Sequence, residues 1–166
     1  KTTVFRNDVS NLITRGTATA PYFVNVGESR FEGVEVEAEY AASAFFARAA
    51  LSAIDGENRI SGLPLNTIPA DELDLTLGYN FRDLGIQAGW RGEFAADQED
   101  VATARLRTGG YAVHNLFLTW RPREGVLEGL DVRLAVDNLL DKQFRRHLNS
   151  LDAEGRTFKV TLARTF

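Results

Sequence analysis

The chain contains no cysteine and no methionine, and each absence removes a set of readings. Without cysteine there is no disulfide framework, no zinc–thiolate cluster and no thiol nucleophile. The same lack suits an exported protein, in which an unpaired thiol is a liability. A chain that opens on Lys1 and has no methionine is expected to be a processed product or a piece of something longer, and it shows no secretory leader. With only two histidines and no Gly-x-Ser-x-Gly, phosphate-loop or zinc motif, no enzymatic activity is expected. Nor does charge of one sign accumulate: 19 basic against 23 acidic residues leave a net charge of −4, which excludes nucleic acid as an expected partner. Long hydrophobic runs are missing as well. The most apolar neighbourhood, Tyr40 to Ala53, is cut by Arg48 and falls short of the roughly 18 residues of a membrane helix. That leaves strands open, because a barrel strand crosses with about 9–11 alternating residues.

What the chain does have is alternation. At the C-terminal end Phe158, Val160 and Leu162 alternate with Thr157, Lys159, Thr161 and Ala163, so a strand there is apolar on one face. It stops on an aromatic, Phe166, with Arg164 interrupting the apolar face. An outer-membrane barrel commonly closes on such a strand. Leu73, Leu75, Leu77, Tyr79 and Phe81 repeat the pattern, as do Ile86, Ala88, Trp90 and Phe94, with a tight turn at 82–85 between them. Val34, Val36, Ala38 and Tyr40 stand opposite Glu35, Glu37 and Glu39. Glutamates at every second position need water on their side.

About eight strands are expected, at roughly 2–13, 22–40, 44–54, 71–81, 84–94, 110–121, 130–140 and 156–166. Short links (41–43, 82–83, 122–129) alternate with longer polar ones (14–21, 55–70, 95–109, 141–155), the rhythm of an up-and-down barrel with short periplasmic turns and long outer loops. Tyr40, Tyr79, Phe81, Trp120 and Phe166 fall at the short-turn end, as an aromatic girdle would. A soluble sandwich or lipocalin-like barrel would need the faces inverted. A small, complete eight-stranded outer-membrane protein is the other rival, since about eight strands suffice to close a barrel.

The segment Val136-Asp-Asn-Leu-Leu-Asp-Lys-Gln-Phe144, followed by Gly155-Arg156 and the terminal Phe166, resembles the C-terminal end of TonB-dependent outer-membrane receptors. There an Asn-Leu-Phe-Asp-Lys-x-Tyr segment, a variable loop, a Gly-Arg pair and an aromatic final strand close the barrel. Leu140 and Phe144 depart from the usual aromatics. Asn25-Val-Gly27 and Gly33-Val-Glu35 are similar to the family's Asn-x-Gly…Gly-x-Glu strand, and Gly62-Leu-Pro-Leu-Asn-Thr-Ile-Pro69 is similar to its haem and haemoglobin branch.

The resemblance implies an all-β fold: an antiparallel up-and-down transmembrane β-barrel segment, the C-terminal third of a barrel of about 22 strands with a plugged lumen. The whole of 1–166 would be barrel, with the plug domain, its energy-coupling segment (the TonB box) and the earlier strands absent from this chain. It implies a Gram-negative outer membrane location with the C-terminus periplasmic, and uptake of an iron-containing nutrient. Haem is the expected transported ligand, free or from a haem protein, with no permanently bound cofactor and no resident metal; a siderophore is the alternative. Implied partners are outer-membrane lipid, the TonB energy-coupling complex acting through the plug, and the assembly machinery that reads the last strand. Asn25, Gly27, Gly33, Glu35, Asn138, Leu139, Asp141, Gly155, Arg156 and Phe166 are the family-motif and assembly positions.

Arg145, Arg146 and His147 are the candidate ligand-loop residues. His147 could be an axial haem ligand, or could contact haem propionates with the two arginines; the alternative is a solvated loop histidine. His114 shares the face of Leu116, Leu118 and Trp120 and reads as a girdle residue. Asp97, Glu99 and Asp100 lack calcium-loop spacing.

Overall fold

A computed structural model describes residues 1–15, 23–25 and 27–165 of the chain. The alternating segments form one layer of antiparallel sheet: β1 (Thr2–Val9), β4 (Ser29–Ala41), β5 (Phe45–Asn58), β6 (Glu72–Phe81), β7 (Ile86–Ala95), β8 (Tyr111–Trp120), β9 (Leu130–Asp137) and β10 (Thr157–Arg164). Each strand pairs with the next of the eight along the chain, and a separate two-stranded ribbon joins β2 (Ile13–Arg15) to β3 (Phe23–Asn25). The sheet is therefore an open meander. Among the described residues β1 pairs only with β4, and β10 only with β9.

The number and order of the sheet strands agree with the alternation, but several boundaries do not. The strand expected at 2–13 stops at Val9, because Asn11 turns the chain with φ 58° and Ile13–Arg15 pairs with Phe23–Asn25 instead. The strand expected at 22–40 is broken for the same reason, with Gly27 at φ 75° in the break. Strand β5 runs on to Asn58 through Asp55-Gly56, where Ile68 and Leu65 cover the glycine and leave no room for a Cβ. Leu84 belongs to a single 3₁₀ turn, Arg82–Leu84, and β9 ends before Asn138, whose φ is 50°. Phe166 lies outside the described residues, as does 16–22.

Register fixes two faces. Leu77, Trp90, Leu116, Val136 and Phe158 form one row across five strands, and Tyr79, Ala88, Leu118, Leu134 and Val160 form the next. No described residue covers this face: Phe158, Val160 and Leu162 are 73%, 68% and 69% exposed. The buried hydrophobic residues are instead Phe46, Tyr111 and Val113 on the other face and Leu65, Ile68 and Val101 in loops. A continuous apolar face of this extent is suited to hydrocarbon, not to water. Aromatics mark its lower edge, where Tyr79 meets Phe81 at 4.7 Å and Tyr40 lies 6.4 Å from Phe45. Towards the other end His114 stacks on Trp90 at 5.7 Å and meets the edge of Phe94 at 5.8 Å. Arg164 pairs opposite Leu130, beside the turn, and reaches the Val126 carbonyl. Its charge thus sits at the rim of the belt, where a long side chain can reach water.

The opposite face is polar and ion-paired. Arg48 meets Glu39 at 3.0 Å, Arg91 meets Asp74 at 3.1 Å, and Gln87 donates to Asn80 at 2.8 Å. Glu35, Glu37 and Glu39 are exposed there. Phe46, Gly78, Gly89 and Phe117 form one row, and the two rings lie over the paired glycines, where any Cβ would overlap them. Long connections at 59–71, 96–110 and 138–156 gather at one end, and the short links at the other.

Candidate ligand-facing loops and inner wall

The motif residues of the last long loop converge on Asn138. Its left-handed backbone is one that asparagine tolerates better than most residues. The amide N–H of Asn138 donates to Asn115 Oδ1 at 2.8 Å. Its side chain donates to the Lys142 and Glu154 carbonyls at 2.8 and 3.2 Å and accepts from the Lys142 amide at 2.8 Å. Leu139 N–H donates to the His114 carbonyl at 2.7 Å, tying the loop to the end of β8. Asp141, also at positive φ, accepts from the Arg156 amide at 2.8 Å, and a Cβ on Gly155 would lie 2.8 Å from its carboxylate. The Asn-Leu-Leu-Asp and Gly-Arg positions are thus two halves of one clasp that closes the loop where it enters and leaves the sheet.

The upstream motif works similarly. Asn25 accepts from the Gly27 amide at 2.7 Å, and the Gly27 carbonyl accepts from Leu12 N–H at 3.1 Å. Gly33 lies against the Ala53 carbonyl and the Phe5 ring, so a side chain there would strike β5. Glu35 is an exposed inner-face residue opposite Thr3 and Ser52.

Below the loop lies a cavity of about 500 Å³, lined in part by Arg91, Glu93, Asn115, Asn138, Phe144 and Arg146. Glu93 is its centre: it accepts from Arg146 at 2.8 Å and from Asn115 at 3.1 Å, with Arg91 at 3.7 Å. Arg146 also donates to the Tyr111 hydroxyl at 3.0 Å, and its guanidinium is 5.7 and 5.8 Å from the centroids of the Tyr111 and Phe144 rings. The bond to Glu93, above all, raises the Arg146 pKa above its ordinary value. Arg146 is thus already matched to a carboxylate. Arg145 is exposed and makes no such pair among the described residues.

His147 bridges two other loops. Its Nε2 is 2.9 Å from the Asn66 carbonyl, so it carries the proton and donates, and its Nδ1 is 3.1 Å from Thr108 Oγ1. Both nitrogens are engaged by other loops, which leaves no free lone pair for a metal in this arrangement. The stretch Asp97–Asp100 belongs to no group of metal-ligand side chains among the described residues. Asp97 caps the Gly110 amide at 2.6 Å, and Gln98 is buried. The Gln98 side chain donates to the Ile68 and Pro69 carbonyls at 3.0 Å each. Gln98, Asn66 and Thr108 escape sequence reading because their partners lie in other loops.

The sequence profile described as "TonB dependent receptor-like, beta-barrel" matches residues 1–139. TonB-dependent heme receptor A of Haemophilus ducreyi is 29% identical over 86% of this chain and 21% of its own length. Heme/hemopexin utilization protein C of Haemophilus influenzae is 22% identical over 99% of this chain and 25% of its own. The chain thus spans about a fifth to a quarter of the relatives it matches. Among solved structures, the copper transporter OprC superposes with a TM-score of 0.86 at 23% identity, over 99% of this chain and 28% of that one. At that identity the likeness speaks for the fold.

Proposed function

The chain belongs to the TonB-dependent receptor β-barrel family, a family of outer-membrane transporters rather than enzymes, and from that premise we propose that it is the C-terminal part of a haem receptor. Residues 1–166 supply the last third of the barrel wall, with the plug, its energy-coupling segment and the earlier strands on the remainder of the parent protein. The open edges of β1 and β10 support this reading, since a complete small barrel would pair them. The C-terminus faces the periplasm beside the short turns, and Phe166 and the last strand are what the assembly machinery reads.

The observation that carries haem is sequence kinship. Relatives aligned over 86% and 99% of the chain are named for haem or haem–haemopexin use. Within this segment the motif positions close loops, Arg145 is an exposed loop arginine able to meet an anionic group of the ligand, and the iron ligand lies on other parts of the parent. Import follows from ligand capture at the outer loops and plug displacement driven by the TonB complex. Deleting the parent receptor, in a strain with no second haem importer, should abolish growth on haem as sole iron source and spare growth on ferric siderophores. The reverse pattern would make it a siderophore receptor.

A further inference from the structure

Three outer loops that are distant in sequence meet at one imidazole. His147, in the loop 138–156, reaches the Asn66 carbonyl 81 residues away and Thr108 Oγ1 39 residues away. Two more bridges join the same partners: the Thr103 amide donates to Asn66 Oδ1 at 3.2 Å, and Gln98 holds the Ile68 and Pro69 carbonyls. In the same loops Leu65, Ile68 and Val101 are buried, with Leu65 and Ile68 packed over Gly56 of β5. Loops that each held themselves would not need these bridges.

We propose that loops 59–71, 96–110 and 138–156 form a single interlocked lid pinned by His147, so that displacing one loop loosens the other two. His147 is then a positioning residue. Its ring suits the task because its two nitrogens diverge in the ring plane, so a single rigid side chain bridges the Asn66 backbone carbonyl and the Thr108 hydroxyl. A ligand that pulls on any of these loops must break a bond at His147 or Gln98 to move it. Opening therefore becomes a shared event with shared free energy. The proposal concerns how the mouth opens, and it holds whichever ligand the receptor carries.

Amide hydrogen exchange on the ligand-free parent receptor in outer-membrane vesicles tests it. In His147→Ala, exchange in both 59–71 and 96–110 should rise at least about tenfold, although neither loop is altered, while the strands keep their protection as an internal control. His147→Gln keeps a donor able to reach the Asn66 carbonyl, so it should restore 59–71 and leave 96–110 fast. If the histidine variants fail to insert, Thr108→Val, which removes only the hydroxyl, should raise exchange in 138–156 as well as in its own loop. A rise confined to the mutated loop, or no rise, overturns the shared lid.

Discussion

At the scale of single residues, the asparagine of the C-terminal motif illustrates how a sequence signature and a hydrogen-bond inventory can be the same fact. Asn138 is 3% exposed, sits at φ 50°, and uses every polar atom of its side chain to hold the two ends of a loop. Alanine would lose these bonds, leave the partly buried Lys142 N–H without its acceptor and keep the left-handed backbone. The expected cost is about 2–3 kcal/mol, read as a lower urea midpoint for the parent receptor in micelles. Asn138→Gly should recover part of that by relieving the backbone. An alanine variant within about 0.5 kcal/mol of wild type would show that the clasp contributes little. The residue was legible as a motif position, but its bonding was not, because Asn115 and Glu154 are brought to it only by strand pairing. His147 was less legible still: its chemistry suggested a ligand, and both partners come from loops that no local pattern connects.

At the scale of elements, alternation carried nearly everything that register later required. A half-buried strand must repeat every two residues, so the apolar rows and the glutamate stripe were readable before any pairing was known, and even the Glu39–Arg48 pair follows from them. The failures lie where the chain leaves the belt: β1 ends early, β5 overruns, and neither event changes the hydrophobic period. Adjacent alanines on β5 offer a sharp test of the faces. Ala49 points outward between Ala38 and Leu75, and Ala50 points inward between Glu37 and Asp74. Ala49→Lys should cost about 2–4 kcal/mol near the middle of the lipid belt, whereas Ala50→Lys, placed between two carboxylates, should stay within about 0.5 kcal/mol. Unfolding the parent receptor from vesicles in urea measures both. The reverse ranking would mean an apolar interior and a wet exterior, and would sink the membrane-facing assignment.

At the scale of the molecule, the decisive property is that the eight sheet strands form an open layer among the described residues. The sheet is one layer whose apolar side has no protein cover and whose outermost strands each carry one unpaired edge among the described residues. An unpaired strand edge cannot face hydrocarbon, since each orphaned N–H or C=O would cost several kcal/mol there. The edges of β1 and β10 must therefore find partners, either each other or strands beyond this chain. The relatives are four to five times longer than the aligned stretch, and a barrel of about 22 strands places the closing strand beside the first barrel strand of the parent. Thr3 on β1 and Thr161 on β10 both lie on the inner face, so a disulfide between them would report direct pairing. Cysteines introduced at both positions should remain uncrosslinked in the oxidised parent receptor. A pair at neighbouring positions of β9 and β10, Arg133 and Thr161, which face each other in register, should crosslink and serve as the positive control. Efficient Thr3–Thr161 bonding would instead close the eight strands upon themselves. The interior would then be a side-chain-filled core too narrow for a plug, and the uptake mechanism proposed for the parent would fall with it.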